Sequence, residues 1–480
     1  MSKPSSPSSI LPRTAILNLV GLTPRHLTPD MPFLRRFLAR EGMKLVHVTP
    51  LLPAVTSTMQ ATYLTGAPPG EHGMVGNMWY DRTYAEHRCW KQSNHLVKGK
   101  KLWEHLREED SAYTCAKLFW WNNLYSTADY QATPRPIYRA DGKKLFDIQT
   151  WPMEARKRLS RKLGKFPFPA FWGPMAGIES SRWIAQAAKW FEDQFSPSLH
   201  LVYLPHLDYN LQRIGPESPA ISDDLQAIDR VTEELVTHLE SRGVRVVILS
   251  EYGITQVDRA IHLNRIFREK GWITWRDELG REMIDLGNCR AFAIPDHQVA
   301  HIYVNDPTIL EEVAATVRRV EGVCAVYDRE EQEDLGLAHE RSGDLVAVSD
   351  ERSWFTYYWW KKDRRAPDYA RCVDIHRKPG YDPVELFVNP RLWFPKAAIA
   401  WRILKKVLGF RMLMNVIPLD ASLVKGSHGC IPKHREDHPV LIGAFSDLEN
   451  GATIAATEVF RSLLGYCRGG ATPPSNGPAE

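Results

Sequence analysis

The sequence predicts an α/β fold, a mostly parallel sheet sandwiched between helices, and three observations carry that reading. Apolar runs of strand length recur along the chain: "AILNLV", "KLVHV", "YTCAKLFW", "LHLVYL", "VRVVILS", "VAHIYV" and "DLVAV". They are continuous rather than alternating, as in strands buried on both faces. Amphipathic helical patterns lie between several of them, the arrangement that covers both faces of a parallel sheet.

Taken in order, Ser/Pro-rich residues 1–13 and the Gly/Pro-rich residues 467–480 have the composition of disordered tails. One folded domain is expected over 14–466. In "SSRWIAQAAKWFEDQF", Trp183, Ile184, Ala187, Ala188 and Phe191 share a face. In "SDDLQAIDRVTEELVTHLESRG", Leu225, Ile228, Leu235 and Leu239 do the same, with a Ser-Asp-Asp cap in front and Gly243 as the stop. Residues 77–175 and 350–425 are crowded with aromatics and prolines and read as insertions capping the sheet rather than as further sheet units.

Composition excludes several classes. The net charge of +4 is spread along 480 residues, and no nucleic-acid-binding motif accompanies the local basic clusters. Seven scattered cysteines, with no CxxC, argue against a disulfide framework or structural zinc and for a reducing, cytoplasmic setting. The first twenty residues hold only a short apolar run without a small-residue cleavage site, so no signal peptide is expected. No stretch reaches the roughly 20 apolar residues of a spanning helix.

Ligands of such sheets bind beyond the carboxyl ends of the strands. After "LHLVYL" come His206, Asp208 and Gln212. After "VRVVILS" come Glu251 and Tyr252. After "KLVHVTPLL", the hydroxyls of Thr56, Ser57 and Thr58 stand at the start of a helical run, where free N–H groups favour a phosphate. "KGSHGC" presents His428 between small residues. Read singly, these are a helix cap, a turn aspartate, a paired glutamate and a loop histidine. Together at strand ends they supply a nucleophile, carboxylates and an imidazole, the ingredients of metal-assisted phosphoryl transfer.

In this order the segments resemble the alkaline phosphatase superfamily, specifically the type I phosphodiesterase/nucleotide pyrophosphatase family. The most specific stretch is "PAVTSTMQATYLTGAPPGEHGMVGNMWYD", Pro53 to Asp81. The resemblance implies an alkaline-phosphatase-like fold, two metals (zinc as a rule) and Thr56 as the attacking hydroxyl. It places Asp208 and His428 at the first metal, with Gln212 where the family has histidine. It places Glu251 and Tyr252 where the second metal has an Asp-His pair, and Val20 where it has a further aspartate. The family's phosphate-holding asparagine aligns with Met59.

Replacing imidazoles by an amide and a phenol shifts the donor set from zinc's preference toward oxygen, so a single magnesium, manganese or calcium ion is the alternative expectation. Tyr252, His206 and His376 are accessory candidates, the two histidines because they flank Asp208 and Asp374. The segment Arg391 to Asn415 reads as a basic amphipathic helix, either a cap packed on the domain or a membrane-surface element. The expected activity is a metal-dependent phosphodiesterase or nucleotide-pyrophosphatase-like hydrolase, cleaving a small phosphoester or phosphoanhydride that is nucleotide or lipid-linked. The alternatives are a silent relative that binds a phosphorylated ligand or partner, and a membrane-surface protein handling phosphorylated lipid intermediates.

Overall fold

The computed structural model describes residues 9–141, 144–410 and 412–470, so the expected tails lie largely outside the described residues. Nine strands build the main sheet: β1 (Thr14–Leu19), β2 (Lys44–Thr49), β3 (Cys115–Leu118), β4 (Tyr130–Pro134), β5 (Ile148–Trp151), β6 (Leu199–Leu204), β7 (Arg245–Leu249), β8 (Val440–Gly443) and β9 (Thr453–Ala455). Their order is β9-β2-β8-β7-β1-β6-β3-β4-β5. The run β7-β1-β6-β3-β4 is parallel throughout. Strand β8 lies antiparallel between β2 and β7, and β5 closes the far edge antiparallel. Consequently β1, β2, β6 and β7 all point their carboxyl ends to one edge. The central β1 and β6 are buried at every residue, which is why they read as unbroken apolar runs.

Five helices frame the sheet and its carboxyl edge, α1 (Thr56–Thr65), α2 (Ile178–Phe195), α3 (His206–Ile214), α4 (Ile221–Glu240) and α6 (Ala456–Cys467), while α5 (Pro395–Val407) lies within residues 350–425. Helices α2 and α3 pack on α4, whereas α1 packs on α6 in a separate layer. The apolar faces predicted for α2 and α4 are the buried ones. Helix α4 starts at Ile221, ahead of the expected Ser-Asp-Asp cap, and no side chain caps it.

Three expectations are corrected. Residues 77–175 do not simply cap the sheet: they supply β3, β4 and β5. Of these, β3 lies within the expected run "YTCAKLFW", whereas β4 and β5 are only five and four residues long and adjoin prolines, which masks their pattern. "VAHIYV" and "DLVAV" do not join the main sheet either. They pair antiparallel in a separate four-stranded sheet with Ala291–Asp296 and Val323–Tyr327, which residues 350–425 cover with Trp354, Tyr357, Trp359 and Trp360 in its core. An apolar run reports burial on both faces but not which sheet buries it. Finally, the chain is anchored from Ser9, whose hydroxyl donates to Asp110 (2.6 Å), and Cys467 is a buried residue of α6.

The turn "GEHG" owes its order to His72. Its Nδ1 accepts from the Met74 N–H (3.0 Å) and its Nε2 meets the Thr62 hydroxyl (3.0 Å), a pairing that fits the neutral ring. Burial drives its pKa down to about 3. The native histidine therefore stays neutral where the unfolded one, near 6.5, takes up a proton. Stability from this group is present above pH 6.5 and is lost as pH falls toward 3, by up to about 1.4 kcal/mol per pH unit. Urea unfolding of wild type and His72→Gln at pH 7.5 and pH 5 should show the wild type losing more of its stability on acidification; equal losses would exclude a buried neutral His72.

Candidate active site

Each candidate side chain is delivered by the end of a strand. Beyond β2 the chain turns and opens α1 with Thr56 as its first residue. Beyond β6, α3 carries Asp208 in its first turn and Gln212 one turn later, the i, i+4 spacing that puts both on one face. Beyond β7 follow Ser250, Glu251 and Tyr252. His428 comes from a loop whose Gly426 and Ser427 pair antiparallel with Gln256 and Thr255. Two glycines allow this convergence by close approach. A Cβ on Gly253 would fall 1.8 Å from the Asp437 carbonyl oxygen, and one on Gly426 would fall 2.0 Å from that of Leu211 in α3.

The structure brings Thr56, Asp208, Gln212, Glu251, Tyr252 and His428 into one buried cluster. The Tyr252 hydroxyl donates to Asp208 Oδ1 (3.2 Å) and lies 3.4 Å from Thr56 Oγ1. The Gln212 amide donates to Asp208 Oδ2 (2.8 Å) and its carbonyl accepts from the Tyr381 hydroxyl (3.0 Å). His428 Nδ1 donates to the Ala54 carbonyl (2.8 Å), leaving Nε2 3.9 Å from Asp208 Oδ1. The His428 ring lies flat on Tyr252, with centroids 3.5 Å apart and planes 4° from parallel. Burial raises the Asp208 carboxyl to about 7, against the pull of its bonds from Gln212 and Tyr252.

Glu251 answers the cost of a buried carboxylate differently from the expectation of a cation beside it. Asn18 of β1 donates to its Oε1 (2.5 Å), and so does Gln60 of α1. Among the described residues, its Oε2 has no hydrogen-bond partner. Burial raises the carboxyl to about 8 despite those amides, which favours the neutral acid at physiological pH.

Two accessory candidates sit elsewhere. His206 is paired with Asp224 of α4 (3.0 Å), and His376 Nδ1 donates to the Cys89 carbonyl (3.2 Å). Conversely, the cluster contains residues that strand-end reasoning misses. His297 stacks on Tyr381 (centroids 3.6 Å apart) and lies tilted against His428 (3.8 Å), and its Nδ1 is held by Asp296 (2.8 Å). Met59, aligned with the family's asparagine, is buried in the core. The amide beside Thr56 is instead Asn77, whose oxygen accepts the Ser57 N–H (2.9 Å) and whose N–H groups bind Asp296. The signal for Asn77 is present in the Gly-Asn of the resembling stretch.

Members of the resembling family are metal-dependent hydrolases, but these residues do not fit a metal pair. Val20 offers only methyl groups and is buried in the core. Both Asp208 oxygens are engaged by neutral donors, and a phenol stands between Asp208 and Thr56. Among the described residues, no group of three His, Cys, Asp or Glu side chains is placed to hold an ion. The smaller oxygen-rich site expected for one magnesium, manganese or calcium does not assemble either, because Glu251 and Asp208 are each tied to separate amides.

Comparison with known proteins identifies the family and the fold. The chain is 25% identical over 261 residues to an uncharacterized pyrophosphatase/phosphodiesterase of Schizosaccharomyces pombe, covering 52% of this chain and 44% of that protein. It is 26% identical over 262 residues to the Homo sapiens ectonucleotide pyrophosphatase/phosphodiesterase family member 7, covering 52% and 49%. The chain thus spans about half the length of the curated relatives it matches. Its fold is shared with two solved structures. One is murine ectonucleotide pyrophosphatase/phosphodiesterase 5, in an inactive form with AMP (TM-score 0.59, 16% identity, 97% of each chain). The other is phosphonoacetate hydrolase from Sinorhizobium meliloti with phosphonoformate (TM-score 0.61, 17% identity, 97% of this chain and 100% of that one). The family model for type I phosphodiesterase / nucleotide pyrophosphatase matches residues 14–382, the span that carries the sheet edge, Thr56, Asp208 and Glu251. The chain belongs to the type I phosphodiesterase / nucleotide pyrophosphatase family.

Proposed function

We propose that the chain is a phosphoester hydrolase acting on a small phosphorylated molecule, with the Thr56 hydroxyl attacking phosphorus. The observation that carries this reading is the position of Thr56. It is the first residue of α1, where the helix dipole favours a phosphate, and it is joined through Tyr252 to Asp208. As Oγ1 bonds to phosphorus and the bond to the leaving oxygen breaks, the threonine proton passes to the Tyr252 oxygen while the phenol proton passes to Asp208; water then cleaves the Oγ1–phosphorus bond as Asp208 returns its proton through Tyr252 to Oγ1. Asp208 is suited to receive it because burial has raised its proton affinity. The ligands in the structural relatives, AMP and phosphonoformate, support a small phosphorylated or phosphonate substrate.

A second reading, a binding protein without turnover, is favoured by one observation: Thr56 is only 4% exposed. Hydrolysis of bis(4-nitrophenyl) phosphate by chelator-treated protein, repeated with zinc, magnesium or manganese added, separates the two. Turnover in the chelated sample is the expected result. Turnover that appears only with added metal would sink the metal-free route, and calorimetric AMP binding without turnover under any condition would establish the second reading.

A further inference from the structure

The chain leaves the second core at Asn389, whose N–H donates to the Val416 carbonyl (2.7 Å), and the excursion pinned at that base contains α5. Packed as the alternative cap, α5 would turn its apolar side inward. It does the reverse. Ala398, Ile399, Arg402 and Lys405 are its half-buried positions, and the Arg402 guanidinium is held by the Asn415 side chain (2.9 Å) and the Ala398 carbonyl (3.0 Å). Projected at about 100° per residue, Trp401, Ile403, Leu404, Val407 and Leu408 fall on one arc roughly 160° wide. All five are exposed. Trp393 (91% exposed) and Phe394 (74%) extend the arc ahead of the helix, and Phe410 extends it behind.

Monomeric soluble proteins rarely present so many contiguous apolar side chains to water, and such a surface marks a binding face. Charge identifies what covers it. From Leu386 to Leu419 the sequence has no acidic residue, while Arg391, Lys396, Arg402 and Lys405 accompany the apolar arc. Tryptophan and phenylalanine beside leucine, with lysine and arginine on the flanks, is the composition of helices that lie in the headgroup region of anionic bilayers. Among the described residues no helix is long and apolar enough to cross a membrane.

We propose that α5 and its flanks dock this protein on the surface of an anionic lipid bilayer, with the Trp393, Trp401 and Leu408 side of the excursion inserted among the headgroups. Basic side chains near an anionic surface add attraction that salt weakens.

The test is flotation of the full chain with vesicles of phosphatidylcholine, with and without phosphatidylglycerol, alongside the variant Trp401→Glu/Leu404→Glu/Leu408→Glu. The three side chains are exposed, so the variant should melt with the wild type. Wild type is expected to float with the anionic vesicles, and the bound fraction should fall by about tenfold or more in the variant, on pure phosphatidylcholine or in high salt. Failure of the wild type to float with anionic vesicles, or flotation unchanged in the variant, would overturn the proposal. A concentration-dependent dimer in sedimentation that the same substitutions abolish would assign the face to a second copy instead.

Discussion

Replacing Thr56 by alanine is expected to lower kcat/KM for an activated phosphodiester by about a thousandfold or more, equivalent to about 4 kcal/mol of transition-state stabilisation. Removal of Oγ1 takes away the only hydroxyl in the cluster that combines the head of α1 with the Tyr252 and Asp208 chain. The backbone N–H groups at the start of α1 remain, so AMP binding measured by calorimetry should change far less than turnover. The contrast is the diagnostic part. A residue needed only for packing would weaken binding and lower the melting temperature together. If the variant hydrolyses bis(4-nitrophenyl) phosphate as fast as wild type, Thr56 is not the attacking group.

The largest stability effect is expected at Lys378, an ammonium that is 1% exposed. Its Nζ lies 2.7 Å from Asp382 Oδ2 and 2.7 Å from Glu385 Oε1. Burial opposes its charge, yet the two carboxylates outweigh burial and raise its pKa. Glu385 in turn accepts from the Trp172 indole (2.6 Å) and the Asp374 N–H (2.9 Å), so the triad also holds Trp172 and the Asp374 backbone. Lys378→Met would leave two buried carboxyl groups without a cation, at a cost of about 3–5 kcal/mol in urea unfolding. Adding Asp382→Asn and Glu385→Gln removes those charges and should recover most of the loss. A single variant as stable as wild type would show that the triad contributes nothing net. Tyr381 lies next to Asp382 and holds Gln212, so the single variant should also loosen the site.

Much of this protein is legible in its sequence because burial writes itself into composition. A strand covered on both faces, such as β1 or β6, must be apolar at nearly every position, and a helix covering it, such as α2 or α4, must be apolar at a 3.6-residue period. Strand ends in a parallel sheet share one edge, so polar residues just past those ends, Thr56, Asp208, Glu251 and Tyr252, are expected to meet there, and the glycine-flanked His428 with them. Their partners are not legible. Asn18 lies within an apolar strand, Gln60 within a buried helix and Tyr381 far along the chain, and nothing local marks a side chain whose purpose is a contact with another segment.

What the sequence determined by itself is therefore the parallel α/β core, the edge on which the candidate residues meet, and the substitutions at Val20, Gln212 and Tyr252. Only the tertiary structure decided what those substitutions do: a phenol bridges Thr56 and Asp208, and neutral amides hold Glu251. It alone showed that α5 turns its apolar arc to the outside. The physical reason is the same in both cases. Apolar periodicity and residue type state what a side chain would rather touch, whereas long-range packing fixes what it does touch.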